Sequence, residues 1–120
     1  MAEDMYPPPS GELGHYRREL APETLKAFHA FSKQVFSAGA LDVKTKQLIA
    51  VAVAHVTQCP YCIRGHVDGA LKAGATDTQI MEAIWVASEM RAGGAYAHSN
   101  LALDEIRRQR AQAAPGGREA

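Results

Sequence analysis

Apolar side chains recur along this chain at helical spacing and nowhere alternate in the two-residue rhythm of a strand. After Pro22, which suits a first helical turn, Leu25, Phe28, Phe31 or Ser32, and Val35 fall on one face and predict a helix near 22–38. Asp42 is placed to cap a second helix, in which Leu48, Ile49, Val51, Ala52, Val53 and Val56 leave little polar circumference. Such a helix belongs at the centre of a bundle. A third runs from Pro60 to just before Gly74, which can take the left-handed conformation that ends a helix. Thr76-Asp77-Thr78-Gln79 has the form of a capping box and opens a fourth helix, about 77–91. Ile80, Met81, Ala83, Ile84, Trp85, Val86 and Ala87 give it more apolar surface than one side of a small domain hides, which predicts self-association. Gly93-Gly94 predicts an interruption or a tight packing point before a last helix, about 95–111, whose charged run from Glu105 to Arg110 reads as solvated surface.

The two ends read differently. Tyr6-Pro7-Pro8-Pro9-Ser10-Gly11 favours extended backbone and Pro115-Gly116-Gly117 is unsuited to packing, so 1–20 is read as an N-terminal arm and 113–120 as a mobile tail. With 120 residues and 47% hydrophobic content, 1–120 is expected to form a single domain around one core. The fold class that follows is all-α: an oligomeric bundle of about five helices whose second and third members form a central hairpin.

Charge narrows the partners. Thirteen basic and thirteen acidic residues cancel, which leaves no basic field for nucleic acid or an anionic membrane surface. The opening residues have neither the positive nor the apolar region of a signal peptide, and no apolar run reaches bilayer length, so a cytoplasmic protein is expected. In a reducing compartment two cysteines three positions apart point to catalysis, redox exchange or metal binding rather than to a structural staple.

Those cysteines lie in Cys59-Pro-Tyr-Cys62-Ile-Arg-Gly-His66. With Pro60 opening a helix, Cys59 falls at the cap and Cys62 in the first turn, where unpaired N–H groups favour thiolate, and the spacing allows a reversible disulfide. His66 lies one turn after Cys62 on the same face, in reach of its proton. A thiolate attacking a peroxide would give a sulfenic acid for the second cysteine to resolve, and the same pair could attack a disulfide instead.

The run Lys44 to Gly74, with Cys59-x-x-Cys62-x-x-x-His66 and the later Gly74-Ala75, resembles the carboxymuconolactone decarboxylase and alkylhydroperoxidase D superfamily over roughly 42–100. The resemblance implies an alkylhydroperoxidase D-like fold and a dimer-based homo-oligomer, a trimer or a hexamer. It implies Cys62 as the peroxidatic thiol, Cys59 as the resolving one and His66 in a proton relay. Substrates would be hydroperoxides or disulfides, and the reductant a dithiol such as a dihydrolipoyl- or thioredoxin-like protein; no bound cofactor is required. The decarboxylase branch lacks the cysteine pair. One departure matters: the family's relay glutamate falls on Gln47, whose amide cannot serve as a carboxylate base. Either His66 works without an ionised partner, or a carboxylate from the fourth predicted helix, Glu82 or preferably Glu89 next to Arg91-Ala-Gly-Gly, takes over.

Two other readings stand beside the peroxidase. His55, Cys59, Cys62 and His66 have the spacing of a zinc or redox-sensing site on one continuous helix, a continuity that Pro60 opposes. A lactone-processing enzyme would use His66 and His98 as acid and base. His55 alone reads as a satisfied buried histidine, Trp85 and Tyr61 as packing residues with Tyr61 affecting access to the thiols, and Arg64 as exposed.

Overall fold

Capping residues decide where the backbone turns. The computed structural model describes residues 5–113, and among them it has five helices and no strand: α1 (Gly11–Leu20), α2 (Pro22–Val35), α3 (Val43–Thr57), α4 (Pro60–Lys72) and α5 (Asp77–Ala113). Ser10 caps α1, its hydroxyl accepting the Leu13 N–H at 3.2 Å. Asp42 caps α3, its carboxylate accepting the Thr45 N–H at 2.7 Å. Each bond satisfies an N–H that the first turn leaves without an intrahelical partner, and hydrogen bonding from Thr45 holds the Asp42 carboxyl below its ordinary range. The capping box closes in both directions: the Gln79 N–H reaches Thr76 Oγ1 at 3.1 Å and the Thr76 N–H reaches Gln79 Oε1 at 3.0 Å. Gly74, at φ +93°, makes the turn between α4 and α5 in a region that side chains disfavour.

Three features depart from the pattern-based expectation. Residues 11–20, read only as part of an arm, form a helix, because the Ser10 cap supplies a start that the preceding prolines obscure. The next helix ends at Val35, short of 38. Gly93-Gly94 does not interrupt the chain, and the two helices expected over 77–91 and 95–111 are one. A glycine costs about 1 kcal/mol against alanine inside a helix but keeps its N–H, so it weakens the ladder without cutting it. The expected tail, 113–120, lies outside the described residues apart from Ala113.

The core is small and centres on α3, which packs against both α4 and α5. Val51, fully buried, meets Ala70, Ala75 and Ile80, with Leu48, Val67 and Ile84 around them. Small residues on α4 and after it let the helices approach closely. Beyond this core the chain is drawn out. Its radius of gyration is 22.2 Å, against roughly 14 Å for a compact chain of this length. Trp85, Val86, Met90 and Tyr96 stand exposed along α5. No helix among the described residues is long and apolar enough to cross a membrane.

Among the described residues Val51 is the one large side chain buried to under 2% exposure. Val51→Ala is therefore expected to lower stability by about 2 kcal/mol, read as an earlier denaturant midpoint at unchanged slope. An unchanged midpoint would remove α3 from the centre of the fold.

Candidate active site

The site is built where α3 gives way to α4. Gln58 ends α3 in the left-handed region at φ 58°, and its N–H and that of Cys59 both turn back to the Ala54 carbonyl. Cys59 follows in extended backbone as the cap of α4, with Pro60 as first helical residue. The Cys59 sulfur accepts the Cys62 N–H at 3.2 Å, a sulfur standing where serine or aspartate usually caps. Both cysteines are free thiols and half-buried.

The two thiols differ in acidity. Cys59 is lowered from the ordinary thiol range, first by hydrogen bonding from the Cys62 side chain and then by the Cys62 and Tyr61 N–H groups. Cys62 is raised, first because its proton is held by Cys59, then by burial and by the charge on Cys59. Of the reduced pair Cys59 is thus the more acidic thiol, and the proton between the two sulfurs is held by Cys62.

Cys62 and His66 line one cavity of about 390 Å³, whose other walls are largely apolar: Val35 and Phe36 from the end of α2, and Ile49, Ala50, Val53 and Ala54 from α3. Phe36 stacks on the His66 ring at a centroid distance of 5.0 Å and an interplanar angle of 23°. His66 Nδ1 lies 2.9 Å from Gln47 Oε1. Lys46 also borders the cavity, but its ammonium donates to the carbonyls of Val35, at 2.8 Å, and Ser37, at 2.5 Å, holding the end of α2 against α3. On the outer side, Tyr61 donates from its hydroxyl to the Pro7 carbonyl at 2.7 Å, and Tyr6 meets its ring edge-on. The residues before α1 are thereby tied to the turn that carries the thiols.

Of the residues singled out from the sequence, Cys59, Cys62 and His66 come together, and Gln47 joins them. Glu89 does not. It is exposed, and its carboxylate lies along its own helix, 3.3 Å from where a Cβ on Gly93 would stand; Glu82 is exposed too. His55 turns Nδ1 back to the Val51 carbonyl at 2.7 Å and borders a different cavity, with Gln58, Pro60, Ile63 and Arg64. Among the described residues no three histidine, cysteine or acidic side chains are grouped as metal ligands, so the four-ligand set is not assembled. His98 is exposed and hydrogen-bonds to Gly94 on its own helix, away from His66. Sequence reasoning missed Phe36, Lys46, Gly69 and the Pro7–Tyr61 bond. Only Gly69, one turn after His66 on a short helix, carried a local signal.

Comparison with known proteins agrees with the all-helical fold. Residues 22–105 match the carboxymuconolactone decarboxylase family. An uncharacterised protein of the cox locus of Paracoccus denitrificans is 63% identical over 109 residues, covering 88% of this chain and 97% of that protein. The chain is also similar to a carboxymuconolactone decarboxylase family protein of Legionella pneumophila, with TM-score 0.61 and 38% identity over 66% of this chain and 70% of that one. A family member from Thermotoga maritima with a suggested part in the antioxidative response superposes with TM-score 0.51 and 27% identity, over 69% of this chain and 95% of the other.

The shared proton gives each single-thiol variant a signed outcome. Cys62→Ala removes the main support of the Cys59 thiolate, so Cys59 should ionise at higher pH than in the parent. Cys59→Ala removes what holds the Cys62 proton, so Cys62 should ionise at lower pH. Thiolate absorbance followed against pH measures both, and shifts of opposite sign to these would overturn the shared-proton description.

Proposed function

Because the chain belongs to the carboxymuconolactone decarboxylase family and carries a Cys-x-x-Cys pair beside a histidine, we propose that it is a thiol-dependent peroxidase that reduces hydroperoxides at Cys62. The observation that carries this reading is that Cys62 and His66 line the same apolar cavity while Cys59 sits at the helix cap as the more acidic thiol. The suggested antioxidative part of the Thermotoga relative supports it.

In the proposed reaction a hydroperoxide enters the cavity. His66 takes the Cys62 proton, and the thiolate attacks the terminal peroxide oxygen. The O–O bond breaks as the S–O bond forms, and the departing alkoxide takes the proton from the imidazolium and leaves as alcohol. Cys62 is then a sulfenic acid. Cys59, already favoured as thiolate, attacks the Cys62 sulfur; hydroxide leaves, and a proton from solvent makes it water. The sum is one hydroperoxide and two thiols converted to alcohol, water and a disulfide. A dithiol donor, dihydrolipoyl- or thioredoxin-like, supplies two electrons and two protons to restore the thiols.

Assembly belongs to the same proposal. A drawn-out chain with Trp85, Val86, Met90 and Tyr96 exposed on α5 is best served by a dimer-based homo-oligomer in which copies cover these faces. Light scattering at micromolar concentration should find an oligomer; a stable monomer would count against it.

The activity is tested by peroxide consumption with a dithiol reductant. Cys62→Ser should abolish turnover, with a loss on the order of a hundredfold or more. Cys59→Ser should react once, leaving a sulfenic acid at Cys62 that dimedone traps, without turning over. Peroxide consumed equally well without Cys62 would sink the mechanism.

A further inference from the structure

Gln47 has no chemical part in the scheme above, yet it is held against the relay histidine. Its Oε1, an amide carbonyl that only accepts, lies 2.9 Å from His66 Nδ1. That contact is a hydrogen bond only when Nδ1 carries the proton, and it then leaves Nε2 as the ring nitrogen with a free lone pair. The amide lies there because Gly69 has no side chain. A Cβ on Gly69 would stand 2.6 Å from Gln47 Oε1 and 2.7 Å from its Cδ, inside contact distance. Phe36 covers the ring face.

The surroundings of His66 are as specific as its bond. Just past α2 the capping residue Phe36 brings no charge; α3 brings neutral Gln47 and the Lys46 ammonium, which is bound to the Val35 and Ser37 carbonyls; α4 brings Cys62, with Cys59 at its cap. Among the described residues no carboxylate lines the cavity.

We propose that Gln47 is a positioning residue that fixes His66 as the Nδ1–H tautomer, so that a neutral imidazole takes the Cys62 proton at Nε2 without a carboxylate partner. The proposal rests on His66 acting as base toward Cys62, as in the function above, and replaces the acidic relay by an amide. An amide orients the ring as well as a carboxylate does, but gives the imidazolium no counter-charge, so the base is regenerated readily once the leaving alkoxide has taken its proton.

The test separates positioning from turnover by needing no peroxide. Long-range proton–nitrogen NMR of the imidazole reports the tautomer, and the alkylation rate of Cys62 by iodoacetamide against pH, in a Cys59→Ser background, reports the base. The parent should be Nδ1–H. Gln47→Leu should lose that preference and slow alkylation near neutral pH on the order of tenfold. Gly69→Ala, which pushes the amide away without touching its chemistry, should reproduce both effects. Gln47→Glu should keep the tautomer but move the acid limb of the rate profile to higher pH, by about one unit, because a carboxylate there holds the imidazolium. An Nε2–H parent, or a Gln47→Leu variant with tautomer and pH profile unchanged, overturns the proposal. Parent protein that fails to consume peroxide yet gives these shifts defeats the peroxidase reading and leaves the role of Gln47 standing.

Discussion

Between Thr57 and Pro60 the chain has two residues in which to end one helix and begin the next. Gln58 accepts a left-handed backbone to do so, a conformation uncommon for residues with a side chain. Pro60 prevents the two helices from merging, since inside a continuous helix it would lack an N–H and strike the carbonyl one turn earlier. The reversal lays α4 back on α3, with Val51 against Ala70. The site follows from that one turn. Cys59 is left facing the open N–H groups of α4, Cys62 enters the first turn, and His66 arrives a turn later opposite Gln47. A bent connection also keeps His55, which lies before the turn, out of line with the two thiols and His66, which lie at and beyond it. That is the physical reason the zinc arrangement, drawn on a continuous helix, is not formed.

What could be read from the chain divides along the same lines as its physics. Asp42, Pro60, Gly74 and the Thr76–Gln79 box are local signals whose partners lie within a turn, and each marks a real boundary. Gly93-Gly94 misleads because helix propensity is a small energy per residue and a long helix absorbs it. The helical arm misleads in the other direction, since three prolines dominate the composition around a Ser10 cap. At the site, the cysteine pair and His66 are legible because one helix start holds them all. Phe36 and Lys46 are not, because their roles exist only once α2 lies against α3. Glu89 illustrates the converse. Its candidacy rested on small neighbours as a place of close approach, and the glycine beside it is instead covered by its own carboxylate.

The acidity of the thiols links this geometry to the proposed chemistry. A helix start with two sulfurs can stabilise one thiolate well, and the capping position takes that benefit. Cys59 therefore draws on the N–H groups and on the Cys62 proton, and Cys62, which borders the cavity, is made less acidic by the same contact. In the proposed reaction the less acidic thiol, on the cavity, is the one that needs a base, and the more acidic one has less need of it. A resolving cysteine benefits from being thiolate when the sulfenic acid forms, because delay exposes that acid to further oxidation. An attacking cysteine benefits from holding its proton until a base adjoining the cavity removes it, because the leaving alkoxide requires a proton at the same moment. In that reaction the proton would be carried both ways by His66, which is stacked by Phe36 and bonded to Gln47. In the proposed reaction the asymmetry that the cap imposes on two identical side chains gives them different tasks, and the first step there depends on the orientation of one imidazole.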